Sequence, residues 1–351
     1  MRSAFGKMKT AFLLAVTALI LAGCGKENLT ALVPKGVGAQ KSMDLIILTT
    51  AVMTLVFLIV IILFVVVLVR YRRKKGQEDY IPEQVEGNKT LEIVWTVIPI
   101  ILVLVMAVPT VVYTFELADD SKAKDHINID VKGNQYWWHF DYKGEKIQTS
   151  QDLYIPTGEK VYVHLLSNDV THSFWIPSIS GKLDVNPENE NTMYIEANEE
   201  GVYWGKCAEF CGPSHSLMDF KVVAVSPDKY KQWVKDMQNF DPKKFKPDTQ
   251  VAQEGQKLFE EKSCIACHAI GPSPVATGPN LTDFGNREKY AGILEPTKEN
   301  LVKWIVDPEK EKPGNKMTGK YPKVTEEEAG KIAEYLMQLK PSSVTPETVS
   351  K

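Results

Sequence analysis

The chain has 351 residues and a mass of 39.4 kDa, and at roughly 100–200 residues per domain that length implies two or three domains. Hydrophobic residues make up 44% and charged residues 24%, globular averages that conceal two uncharged runs, Leu45–Val69 and Ile93–Phe115. Each exceeds the roughly 20 residues that cross a bilayer, which excludes a soluble cytoplasmic protein. The 41 basic against 44 acidic residues, a net charge of −3, give nucleic-acid binding no electrostatic support.

Residues 1–23 read as a lipoprotein signal peptide. Arg2, Lys7 and Lys9 form a basic start, and Ala11–Ala22 is an apolar run too short to span. It ends in Leu21-Ala22-Gly23-Cys24, which resembles the lipobox of bacterial lipoproteins and implies a diacylated Cys24 as the mature N-terminus. The competing reading is an ordinary signal with a chance cysteine. Residues 24–118 read as a transmembrane hairpin, with spans at about 45–69 and 93–115 and a cytoplasmic loop at 70–90. Arg70, Arg72, Arg73, Lys74 and Lys75 follow the first span directly and mark the cytoplasmic flank. Both termini, and everything after about residue 118, are then expected on the outer face. Pro99 and Pro109 fall inside the second span, where neighbouring helices tolerate them. Glu92 opens that span. A carboxylate there either caps a helix N-terminus or acts at membrane depth, and position alone does not choose.

Residues 119–225 read as β structure. Lys160–Leu165 alternates partly at period two, Asp219–Val225 is β-rich, and Thr157-Gly158 and Ser180-Gly181 are turn signals. Short strands at this density imply a sandwich or small barrel. Residues 226–249, with Pro227, Pro242 and Pro247, read as a short helix and a linker. Residues 250–340 read as helices, within a last domain of 250–351. Thr325 and Glu328 form a capping box, and Ile332, Leu336 and Leu339 follow at helical spacing.

Five cysteines stand at 24, 207, 211, 264 and 267. Disulfides are the default in an exported chain, but both close pairs carry companions. Cys207, Cys211, His215 and Met218 fall in one short block, and thiolate, imidazole and thioether together suit copper. A β-sandwich whose late loop carries such ligands has the architecture of blue-copper, cupredoxin-like proteins. One cysteine serves a mononuclear site; two thiolates can bridge a pair of coppers, with His172 on an earlier loop as second imidazole. A disulfide, or a Cys₂His₂ zinc site that leaves Met218 idle, competes. Cys264-Ile265-Ala266-Cys267-His268 is the attachment signature of c-type haem. No histidine follows His268, so the sixth ligand is expected from methionine. Met337 sits in the amphipathic last helix, whereas Met317 sits in the irregular loop 313–319 and is the preferred candidate. Methionine opposite histidine raises the haem potential.

Several stretches together resemble subunit II of the haem–copper cytochrome c oxidases: Thr90–Pro99, the Gln135-Tyr136-Trp137-Trp138 run, the His172 loop and the Cys207–Met218 block. The CxxCH motif, Gly255–Phe259 and Tyr335 resemble class I cytochromes c, so the whole is similar to a subunit II with a fused C-terminal cytochrome c domain, of Gram-positive bacterial type. The resemblance implies a dinuclear copper A centre with Cys207 and Cys211 bridging, His172, His215 and Met218 as terminal ligands, and Glu209 bound through its backbone carbonyl. It directs the Glu209 side chain at subunit I and a magnesium ion. It makes the aromatic run an electron-accepting surface, with Trp137 as the exposed member and Trp138 in the core, and gives Glu92 a role in proton uptake into subunit I. Electrons are then expected to pass from a donor such as a small cytochrome c to haem c, to copper A, and to subunit I, where oxygen is reduced with proton pumping. The implied partners are subunit I, other oxidase subunits and membrane lipid, with no nucleic acid, at the plasma membrane. The family's Pro-Gly-Arg turn is absent, Glu188 and Asn189 replacing its glycine and arginine, although Asp184 matches. The alternative is a membrane-anchored copper and haem subunit of another terminal reductase. A copper chaperone has no use for CxxCH, and a quinol oxidase subunit lacks the copper ligands. His126, His139 and His164 are left as ordinary surface or hydrogen-bonded residues.

Overall fold

The computed structural model describes residues 9, 12–17, 27–72, 76, 81, 83–84, 86–273 and 277–349. Cys24 with the rest of its lipobox, and Arg73, Lys74 and Lys75, lie outside the described residues. Residues 40–119 form one compact unit, and residues 1–39 with 120–351 form the other.

The first unit is a pair of long helices, α1 (Val37–Arg70) and α2 (Lys89–Leu117). No residue of their most apolar stretches is buried, and side chains such as Phe57, Leu63 and Trp95 are exposed. An apolar surface of that extent requires lipid around it. Helix α1 begins at Val37 rather than Leu45 because hydropathy marks only the bilayer-facing part, while the backbone ladder continues through Gln40, Lys41 and Asp44. Lys41 binds Glu116 at 2.7 Å and lies 4.7 Å from the Tyr113 ring centroid, fastening the start of α1 to the end of α2. Asn88 caps α2, its side chain accepting from the amides of Thr90 and Leu91. Pro99 and Pro109 lie within α2 as one helix.

The second unit opens with a sandwich of ten strands: β1 (Ile127–Asn134), β2 (Trp137–Tyr142), β3 (Ile147–Ser150), β4 (Asp152–Pro156), β5 (Val161–Ser167), β6 (His172–Trp175), β7 (Lys182–Val185), β8 (Asn191–Ile195), β9 (Gly201–Cys207) and β10 (Asp219–Val225). They pair in the orders β3-β2-β1-β5-β8 and β4-β10-β9-β6-β7. The β1–β5 and β4–β10 pairs are parallel, the rest antiparallel. Aromatic side chains fill the space between the sheets. Phe174 stacks on Phe220 at 4.8 Å, and Trp138 meets both at 5.5 and 5.3 Å. The segment before the first span is stitched to this sandwich by Lys35 N to Ser178 O at 2.6 Å and Ala39 N to Ile179 O at 2.9 Å.

Helix α3 (Pro227–Asn239) lies on the sandwich, with Trp233 stacked on Tyr154 at 4.6 Å and tilted against Tyr142 at 5.2 Å. The chain then runs through Phe240 and Phe245, and Phe245 reaches the Tyr335 ring at 6.3 Å. The helical part comprises α4 (Gln250–Glu261), α5 (Lys298–Val306) and α6 (Glu326–Met337), with a full capping box at Thr325 and Glu328. Phe259 of α4 meets Tyr335 of α6 edge-on at 5.8 Å. Gly255 lets the two helices cross closely, since a Cβ there would run into the Lys331 carbonyl.

Candidate metal centres

Three β-elements converge on one end of the sandwich. Strand β6 begins at His172, β9 ends at Cys207, and the connection to β10 carries Cys211, His215 and Met218. Cys207 Sγ lies 3.8 Å from Cys211 Sγ, 3.8 Å from His172 Nδ1 and 3.3 Å from Glu209 O. Cys211 Sγ lies 3.6 Å from His215 Nδ1 and 3.8 Å from Met218 Sδ. Both cysteines are free thiols, not a disulfide. Among the described residues, His172, Cys207 and Cys211 bring their ligating atoms within 4.8 Å of one another, and all three are buried. The strand pattern permits this approach: a Cβ at Gly133 of β1 would meet His172 Cδ2 at 2.7 Å.

The electrostatics favour a soft cation. The contact between the two sulfurs holds Cys207 well below its ordinary range and pushes Cys211 up. Burial opposes protonation of His172, but its bonds to Asp169 and Cys207 outweigh that and raise it. Asp169 Oδ1 is 2.8 Å from His172 Nε2, leaving Nδ1 facing the sulfurs. A carboxylate on the far nitrogen of a ligand imidazole fixes its orientation. Burial works against the Asp169 charge, but hydrogen bonds from His172 and Lys316 hold its carboxyl well below the carboxylate range. Two sulfurs, two imidazoles, a thioether and a carbonyl are the donor chemistry that fits copper.

The second centre is a cavity beside the CxxCH turn. Cys264, Cys267, His268 and Met317 line it together with Trp304 and Tyr321; Met337 does not. His268 Nδ1 is 2.9 Å from Pro279 O, which leaves Nε2 for iron. Burial pushes this imidazole down, favouring the neutral form that binds metal. The cavity and its donors fit a c-type haem. One wall comes from the sandwich: Gln135, Tyr136 and Trp137.

Of the aromatic run, Tyr136 and Trp138 are buried and Trp137 is half-buried. Trp137 lines the cavity, while the Trp138 indole donates to Met218 O at 3.3 Å. The Glu209 side chain is exposed. Glu92 is exposed in the first turn of α2, where Asn88 already supplies the cap. His139 corrects the sequence reading: it is buried, its Nδ1 has no hydrogen-bond partner among the described residues, and burial lowers it to about 4. Sequence reasoning also passed over Asp169, and it gave Gln135 no contact with the copper loop. Gln135 Nε2 donates to Cys211 O at 2.6 Å. Asp169 stands three residues before His172, a spacing that could have flagged it as an orienting carboxylate.

Residues 38–112 match the transmembrane domain of cytochrome c oxidase subunit II. Residues 143–225 match its periplasmic domain, and residues 252–340 match cytochrome c. The cytochrome c oxidase subunit 2 of Bacillus subtilis (strain 168) is 47% identical over 349 residues, covering 94% of this chain and 97% of that protein. That of Bacillus sp. (strain PS3) is 51% identical over 345 residues, covering 93% and 96%. The solved periplasmic domain of cytochrome oxidase subunit II from Bradyrhizobium japonicum is 22% identical, covers 31% of this chain and 91% of that one, and superposes with a TM-score of 0.30.

Proposed function

The chain belongs to the cytochrome c oxidase subunit II family and carries a cytochrome c domain after its copper domain, and from that membership we propose how its residues serve electron transfer to subunit I. The two domain types imply copper A and haem c. Bound, these groups supply one-electron carriers; oxygen reduction belongs to subunit I. In our reading Cys207, Cys211, His172, His215, Met218 and the Glu209 carbonyl would hold the copper pair. Cys264 and Cys267 would anchor the haem, and His268 and Met317 would supply its iron ligands. The carrying observation is the convergence of both cysteine sulfurs with both imidazoles and the thioether at 3.6–3.8 Å.

Trp137, in the cavity wall, would serve electron entry to the copper centre. Glu92 takes up protons at the inner membrane face, which its release from capping duty supports. Glu209 turns its carboxylate to subunit I and a magnesium ion, and its exposure supports this. We place both termini on the outer face of the cell membrane with a lipid on Cys24; an intact mass beginning at Cys24 with acyl additions is the check on the latter. A small cytochrome c is the proposed donor.

The test of the copper assignment is Cys207→Ser in the full chain. The mixed-valence copper spectrum should vanish while the low-spin haem absorbance persists, because the haem donors lie in another part of the fold. Survival of the paired-copper EPR signal in that variant would refute the assignment.

A further inference from the structure

The segment Lys312–Lys316, just ahead of Met317, touches the copper end of the sandwich at three points. Lys312 Nζ donates to Tyr136 O at 2.7 Å. Ser214, between Cys211 and His215, donates through Oγ to Pro313 O at 2.7 Å. Lys316 Nζ binds Asp169 Oδ2 at 2.6 Å. The first two contacts end on backbone carbonyls. The third ends on a side chain already committed to the copper end, since Asp169 Oδ1 lies 2.8 Å from His172 Nε2. Asp169 Oδ2 also accepts from Gln135 N at 2.8 Å, at the base of the aromatic turn. An ionised carboxylate accepts through both oxygens at once. A single, largely buried Asp169 therefore joins the imidazole facing the sulfurs to the lysine beside the methionine facing the haem cavity.

We propose that Asp169 is a shared latch and Lys316 a positioning residue: the ion pair seats the Lys316–Met317 loop on the copper loops and so sets the path from haem to copper. This rests on the reading of both centres given above. Lys316 is 58% exposed and Asp169 only 11%. An ion pair with one exposed partner shifts a local equilibrium by about two- to fivefold and does not decide global folding. Being partly open to solvent, it weakens as salt rises. The other two contacts keep the loop near its place when the pair is lost, so the fold survives the substitution.

The experiment uses Lys316→Gln and Lys316→Arg in the full-length chain within the assembled oxidase. Backbone hydrogen exchange of residues 313–318 and 168–172 is read with and without metal loading. In Lys316→Gln both segments should exchange about two- to fivefold faster, while α6 is unchanged and Lys316→Arg behaves as wild type. Light-triggered transfer from haem to copper should slow by a similar factor at low salt. Added salt should slow the wild type towards Lys316→Gln and leave that variant unaffected. Equal exchange and equal transfer rates in Lys316→Gln and wild type would overturn the latch. So would a Lys316→Arg variant that matches Lys316→Gln. Haem absorbance and copper EPR on the same samples separate the two failures: missing centres in the wild type refute the functional reading, while the exchange comparison still decides the latch.

Discussion

Asp152 on β4 should make the second unit lose stability as pH rises towards neutrality. Its carboxyl is buried beside Asp283 and Arg287 of the helical part, and Lys221 lies close by with Glu288. Asp283 reaches Arg287 Nη2 only at 3.4 Å, and Lys221 pairs with Glu288 at 3.1 Å. With every group ionised, three carboxylates face two cations. Asp152 Oδ2 and Asp283 Oδ2 have no hydrogen-bond partner among the described residues. Burial first, and then the Asp283 charge, lift the Asp152 carboxyl from 3.8 to about 7. The folded chain thus holds a proton that the unfolded chain has released between about pH 4 and pH 7. Stability contributed by that proton is full below the unfolded value and falls as pH climbs through the window. At about 1.4 kcal/mol for each pH unit, the loss reaches at most about 4 kcal/mol by pH 7. For a unit of this size that corresponds to roughly 8–16 °C in Tm. Asp152→Asn keeps the shape and removes the titration. Calorimetry of the full chain in detergent from pH 4 to 8 should show a wild-type Tm that declines relative to the variant, with the variant the more stable at pH 8. Parallel profiles for the two proteins would refute the reasoning, as would a wild-type Tm that gains on the variant with rising pH.

Three further outcomes are expected. Gly255→Ala forces a Cβ against the Lys331 carbonyl and should destabilise the helical part by about 1–3 kcal/mol, read as a lower haem-linked Tm with the copper EPR signal unchanged. Met317→Leu should lower the haem midpoint potential, measured by spectroelectrochemistry, while Met337→Leu leaves it near wild type because Met337 is outside the cavity; the reverse pattern would move the axial ligand to Met337. Glu92→Gln should slow turnover of the assembled oxidase without loss of helix content, since Asn88 retains the cap; normal turnover across pH would remove the proton-uptake role.

The candidate donor residues were legible in the sequence because most of them sit at local spacing. Cys207 to Met218 is one loop, and Cys264 to His268 is one turn, so residue type and spacing constrain what they bind. The membrane helices were readable because lipid demands an unbroken apolar run. The Thr325 capping box was readable because its bonds span three residues. Most of the strands were not. Strands such as β6 and β7, four residues each, are too short for alternation to register, whereas β10 was legible as a β-rich run although burial at every position erases its period two. The aromatic run was legible only in part: Trp138 is buried as expected, but Trp137 is half-buried rather than exposed because it lines the cavity between the sandwich and the helical part.

What the sequence determined by itself was the inventory: two spans, a copper-type donor loop, a haem attachment turn and a methionine in a loop. Only the tertiary structure decided how the two centres meet. The proline-rich stretch reads as a linker between separate domains, yet Trp233 packs into the sandwich and Phe245 onto the helices, so the sandwich and the helical part share one compact unit. The partners that matter there, Asp169 with Lys316 and Asp152 with Asp283 and Arg287, lie more than a hundred residues apart in the chain. No local periodicity or motif records such a pair, because it is created by burial and by the packing of one fold against another.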